Sequence, residues 1–180
     1  HRRRHSFPTR RSSDLCPTRE LADQVTQEIR RLARAVSNIK VVTLCGGVAL
    51  RGQVMSLEHG AHVVVGTPGR ILDHLERGSL SLQMVQTLVL DEADRMLDMG
   101  FLPSIRRIVQ QLPKQRQTLL FSATLSKEIE SLTHEFQRTP KIVQIGRRGR
   151  WWSPVDPVAV IRLDAAGRIP LAARTGRVVN

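Results

Sequence analysis

The sequence predicts an α/β protein: a parallel sheet with helices on both faces. Three observations carry the prediction. Short apolar runs rich in branched residues alternate with amphipathic stretches of helical period. The run Gln86-Thr87-Leu88-Val89-Leu90 ends abruptly in three carboxylates, Asp91, Glu92 and Asp94, as a buried strand does when its carboxyl end handles a ligand. The composition is globular, with 41% hydrophobic and 24% charged residues among 180, enough for one ordinary domain.

The net charge of +12 suggests a polyanionic partner, but its distribution matters. Residues 1–15 carry +4 and residues 147–180 carry +5, leaving +3 for residues 16–146. Aromatic residues are scarce, at 3% with no Tyr, which argues against an aromatic stacking platform. No apolar run is long enough to span a membrane, and no signal peptide is recognisable. Cys16 and Cys45 lack metal-ligand spacing and read as buried thiols of a cytoplasmic protein.

Residues 1–15 have no apolar periodicity. Phe7 through Leu15 resembles the conceptual translation of a sequencing-adapter oligonucleotide, so this stretch reads as adapter-derived or disordered and the domain as starting at Cys16. Leu21, Val25, Ile29, Leu32 and Val36 then share one helix face, with Thr18 as N-cap and Glu20 in the first turn. Arg19 is a cation where a helix N-terminus disfavours one, so it faces an anion or pairs with Glu20.

Lys40 to Cys45 reads as a strand stopped by Gly46-Gly47, a turn or a place of close ligand approach. An amphipathic stretch follows over Leu50 to Leu57, and His59 and His62 flank the next turn. His62 to Gly66 is another strand. It runs into Thr67-Pro68-Gly69-Arg70, a helix start with Thr67 as N-cap and Pro68 at the first helical position. Arg70 repeats the pattern of Arg19, a cation in a first turn after a strand end. A helix N-terminus with an added Arg suits phosphate, so the repetition suggests a polyphosphate track.

After the acidic strand end come a helical segment from Ala93 and an amphipathic helix with Ile105, Ile108, Val109 and Leu112. Gln117 to Phe121 is a strand closing on Ser122-Ala123-Thr124. Ser126 caps a helix with Ile129, Leu132 and Phe136 on one face, and Lys141 to Ile145 is the last clear strand. Residues 147–180 lose all period and read as an out-of-frame or disordered basic tail. A basic tail with Trp151 and Trp152 as stacking residues is the other reading.

In order and spacing, Pro17 to Ala22, Gly46-Gly47, Thr67 to Arg70, Asp91-Glu92-Ala93-Asp94 and Ser122-Ala123-Thr124 resemble the DEAD-box ATP-dependent RNA helicases. The resemblance covers residues 16–146, part of a first RecA-like helicase ATP-binding domain. Leu44 to Val48, Asp91 to Phe101 and Arg116 to Thr124 look like the bacterial DbpA type within that family.

The resemblance implies ATP and Mg²⁺ as cofactors and RNA, including ribosomal RNA, as partner. It implies that Asp91 meets Mg²⁺ through water, that Glu92 activates the hydrolytic water, and that Asp94 bonds to the Ser122 to Thr124 segment and couples hydrolysis to strand separation. It further implies that Pro17, Thr18, Arg19, Glu20, Gly46, Gly47, Thr67, Pro68, Gly69 and Arg70 grip the RNA backbone.

The 180 residues contain no Gly-x-x-x-x-Gly-Lys-Ser/Thr phosphate loop and no second RecA-like domain with its arginine fingers. The expected sheet is therefore incomplete, lacking the phosphate-loop strand. That absence predicts an open sheet edge beside the strand ending at Ser122, an aggregation-prone fragment, and negligible ATP hydrolysis. A DNA helicase of the same superfamily, or a basic nucleic-acid-binding protein without ATPase activity, shares part of this pattern.

Overall fold

A computed structural model describes residues 12–36, 38–137 and 139–144, and the backbone of 158–160. Four strands of the predicted alternation form where expected: β2 (Val41–Leu44), β3 (Val63–Gly66), β4 (Thr87–Leu90) and β5 (Gln117–Ser122). Before, between and after them run α1 (Arg19–Leu32), α2 (Leu50–Glu58), α3 (Pro68–Glu76), α4 (Ala93–Asp98), α5 (Leu102–Gln110) and α6 (Lys127–Phe136). The last clear strand is β6 (Ile142–Gln144).

Two further strands complete the sheet. β1 (Ser12–Leu15) lies between β3 and β4, parallel to both, and β7 (Val158–Val160) lies antiparallel between β5 and β6. The order is β2-β3-β1-β4-β5-β7-β6. Both additions correct the sequence reading. Ser12–Leu15 is a buried central strand, although the domain was expected to begin at Cys16. Strand pairing uses backbone groups, so a polar Ser-Ser-Asp segment can fill a slot that β3 and β4 define. The edge beside Ser122 is not open either, because β7 pairs with the last three residues of β5, Leu120, Phe121 and Ser122. Residues 1–11 and the rest of the tail after Gln144, including Trp151 and Trp152, lie outside the described residues.

Alternation along the strands divides the interior between the two sheet faces. Leu15, Leu44, Leu88, Leu90 and Leu120 point to the larger core, where Ile71 of α3, Ile105 of α5 and Ile129 of α6 cover them. Cys16, Val41, Cys45 and Val65 point the other way, against Ala22 and the half-buried Leu21, Val25 and Ile29 of α1. On that side Thr26 is buried and shares a 2.9 Å hydrogen bond with Thr43. Helices thus cover both faces of the five parallel strands, β2-β3-β1-β4-β5, within the seven-strand sheet, as predicted.

The β2–β3 pair is closed at Gly66. A Cβ there would sit 2.3 Å from the Leu44 carbonyl oxygen, so only glycine permits the approach. The two strands end together, which brings the turns after Cys45 and Gly66 side by side.

Candidate functional site

Two clusters form at the carboxyl ends of the strands. The acidic one is built by β1, β4 and β5. The Asp91 N–H donates to the Leu15 carbonyl at 3.0 Å, so the new central strand positions the first carboxylate. The Asp91 side chain accepts from the Glu92 N–H at 3.0 Å. Glu92 stands at φ 49°, ψ 52°, left-handed backbone that a non-glycine residue rarely adopts. The bend turns the chain from β4 into α4 and leaves the Glu92 carboxylate half-buried, 3.2 Å from Arg95 Nη1.

Asp94 is the bridge of this cluster. Its Oδ2 accepts from the Ala123 N–H at 3.1 Å, the Thr124 N–H at 3.1 Å and the Thr124 hydroxyl at 3.2 Å. The Thr124 N–H also lies 3.4 Å from the Ser122 hydroxyl. Asp94 thus ties the start of α4 to the segment after β5.

The electrostatics are anionic and incompletely compensated. Burial raises the Asp91 carboxyl above its ordinary value; the Glu92 N–H opposes this and the Glu92 charge adds to it. Asp14 of β1 is buried in register with Val65 and Val89, and burial, then the Asp91 charge, push it up to about 7. Burial also raises the Cys16 thiol. Among the described residues, no Lys or Arg forms an ion pair with Asp14 or Asp91. A desolvated carboxylate without a cation suits a divalent ion. Among the described residues no three His, Cys, Asp or Glu side chains converge as ligands, so Asp91 would meet such an ion with water and substrate oxygens as the remaining ligands.

The second cluster is the predicted track. Thr18 caps α1, its hydroxyl accepting from the Leu21 N–H at 3.3 Å. Arg19 and Glu20 are exposed beside it, and Arg19 lies 3.9 Å from Asp23 rather than pairing with Glu20. Gly47 has φ +75°, and a Cβ there would stand 3.1 Å from Arg19 Nη1, so the glycine turn and the first α1 cation are neighbours. Gly46, Gly47 and Gly69 are exposed and Thr67 is half-buried at the N-cap of α3. Beyond them a cleft of about 470 Å³ opens over β2, lined by Arg19, Arg30 and Lys40 among others.

Three track residues sit differently from a simple surface contact. Pro17 and Pro68 are buried and set chain direction, Pro68 at the start of α3. Arg70 has only 16% of its side chain exposed. Its Nη1 donates to the Val48 carbonyl at 3.1 Å and to Gln53 Oε1 at 3.0 Å. Sequence reasoning missed Gln53, His74 and Asp14. Gln53 and His74 share the inward helix faces of Leu50 and of Ile71, but a single polar residue on such a face carries no signal of its partners, and Asp14 lies in a segment without apolar period. His62, read as a turn residue, accepts the Lys40 N–H on Nδ1 at 3.0 Å.

Comparison with known proteins agrees with this geometry. The family model described as DEAD/DEAH box helicase matches residues 8–132, which includes β1. The ATP-dependent RNA helicase DbpA of Escherichia coli (strain K12) is 48% identical over 160 residues, 89% of this chain and 35% of that protein. The crystal structure of a DEAD box protein from the hyperthermophile Methanococcus jannaschii superposes with a TM-score of 0.69 at 43% identity, over 73% of this chain and 36% of that one. The yeast DEAD-box splicing factor Prp28 gives a TM-score of 0.68 at 35% identity, over 71% of this chain and 30% of its own. The chain thus spans about a third of the length of these relatives. With the acidic strand end, its bridge to the segment after β5 and the glycine turn beside Arg19 all in place, the chain belongs to the DEAD/DEAH box helicase family.

Proposed function

We propose that this chain supplies the carboxylates and part of the RNA track of an ATP-dependent RNA helicase that opens short duplexes, with ribosomal RNA as a substrate class. The observation that carries the reading is the Asp94 bridge. One carboxylate oxygen ties α4, directly after Asp91 and Glu92, to the main chain of Ala123 and Thr124. A change at the acidic end therefore has a rigid route to the end of β5.

Bound Mg²⁺-ATP supplies the scissile phosphoanhydride and the charge neutralisation around it. Asp91 would hold the cation side through water, and that cation would offset the burial of a carboxylate without an ion pair. Glu92, turned out of β4 by its left-handed backbone, accepts hydrogen bonds from and orients the attacking water once Arg95 yields its carboxylate. Arg19, Gly46, Gly47, Thr67 and Gly69 offer cationic and N–H donors to sugar-phosphate, which positions a strand without reading its bases. Arg70 acts from beneath by holding the Val48 carbonyl.

The polypeptide of these 180 residues alone turns over ATP negligibly, because it holds no Lys-bearing phosphate loop to cradle the β- and γ-phosphates. Among the described residues no helix is long and apolar enough to cross a membrane, which is compatible with a cytoplasmic setting.

Fluorescence anisotropy with a labelled single-stranded RNA tests the track. Binding should weaken in Arg19→Glu, and its slope against log salt should fall by about 0.7 for the one lost phosphate contact. An unchanged slope refutes the track, and equal affinity for DNA of the same sequence refutes the RNA assignment. RNA-stimulated hydrolysis by the 180-residue chain, abolished in Glu92→Gln, would overturn the statement that it is inactive alone.

A further inference from the structure

Gln53 is buried in α2, and neither the acidic cluster nor the exposed track accounts for its polarity. Its Nε2 donates to the Cys45 carbonyl at 2.9 Å, directly before Gly46-Gly47. A carbonyl only accepts, so this bond fixes the amide orientation and turns Oε1 toward α3. There Oε1 accepts from Arg70 Nη1 at 3.0 Å and from His74 Nε2 at 2.9 Å. The same Arg70 nitrogen donates to the Val48 carbonyl at 3.1 Å, directly after the two glycines.

The residues on both sides of the glycine turn are thus tied to one side chain of α3, Val48 directly and Cys45 through the Gln53 amide. His74 completes the arrangement. It is fully buried, with Nδ1 2.8 Å from the Ser79 hydroxyl. Nε2 must donate to Gln53, whereas Nδ1 meets a Ser79 hydroxyl that also lies 3.1 Å from the His74 carbonyl and can donate to only one of the two. Burial, and then the Arg70 charge, hold His74 below its ordinary pKa, which favours a neutral ring carrying its proton on Nε2.

We propose that Gln53 is a positioning residue for RNA binding: by joining the Cys45 carbonyl, Arg70 and His74 on one amide, it fixes the Gly46-Gly47 turn against the start of α3. The spacing of the two segments sets whether successive phosphates meet both. The inference rests on the RNA-track reading. Packing alone does not require this residue, since a methionine fills the same volume without polar atoms. What glutamine adds is a donor and an acceptor aimed at two different segments of the track.

The test uses the 180-residue chain and a labelled oligouridylate of about ten nucleotides, at a temperature where circular dichroism shows each variant folded. Gln53→Met should weaken binding about tenfold. Arg70→Met should weaken it too, and the double variant should lose no more than Arg70→Met alone, because Gln53 acts through Arg70. Undiminished affinity in Gln53→Met, or losses that multiply in the double variant, overturns the proposal.

A second measurement needs no substitution. In the unsubstituted chain the His74 ring nitrogens should show the Nε2–H tautomer and shift on saturation with RNA, although His74 is buried. A His74 signal that stays fixed while Gly46 and Gly47 move overturns the lock alone. No RNA binding by the unsubstituted chain overturns the track reading and the lock with it.

Discussion

Replacing Asp14 by valine should stabilise the fold, and more so at high pH. Asp14 sits in the central strand β1, buried and in register with Val65 and Val89. Its carboxyl, ordinarily near 3.8, is pushed up to about 7 by burial and then by the Asp91 charge. Between these two values the folded chain holds a proton that the unfolded chain releases. Stability therefore falls as pH rises through that window, by about 1.4 kcal/mol per pH unit, and the penalty vanishes below the unfolded value. By pH 8 the ionised carboxylate costs the fold about 4 kcal/mol, of which about 1.6 kcal/mol is already present at pH 5. Valine removes the term and suits a strand flanked by valines. Urea unfolding followed by circular dichroism at pH 5 and pH 8 reads the difference. The advantage of Asp14→Val should be about 2–3 kcal/mol larger at pH 8. An advantage independent of pH would refute the burial of an uncompensated carboxylate in β1.

Other perturbations follow from the same geometry. Asp94→Ala removes one acceptor from three donors of Ala123 and Thr124, and should cost about 2 kcal/mol while the Ala123 and Thr124 amides exchange faster; unchanged exchange would contradict the bridge. Gly66→Ala places a Cβ 2.3 Å from the Leu44 carbonyl oxygen and should cost about 3 kcal/mol in urea unfolding, because main chain rather than a side chain must move. A cost near zero would show that β2 and β3 are further apart at this point.

Sequence and structure agree where side-chain pattern is the cause of structure. β2, β3, β4 and β5 are apolar runs, and α1, α3, α5 and α6 carry apolar faces, so period alone located them. β1 escaped because Ser12, Ser13 and Asp14 have no such pattern. Its place is set by the backbone groups of β3 and β4, and Ser13 Oγ has no hydrogen-bond partner among the described residues. β7 escaped for a similar reason, since its pairing to β5 joins segments far apart in sequence.

The acidic strand end was legible because three carboxylates after an apolar run are unusual. Its bridge to Thr124 was legible only through family resemblance, as it spans 30 residues. Arg70 was read as a cation free to meet phosphate, whereas most of its side chain lies inside, on Val48 and Gln53. A lone Gln in a weakly amphipathic helix and a lone His give no periodic signal, so their meeting with Arg70 emerges only in three dimensions.

The proposed RNA-backbone surface joins the strand ends after β2 and β3 to the start of α1. Backbone amide shifts of the isotope-labelled chain, recorded during titration with single-stranded RNA, test it most directly. Arg19, Gly46, Gly47, Thr67 and Gly69 should move together along a single binding curve that weakens with salt. Shifts confined to other surfaces, with these five amides unmoved at saturation, would contradict it.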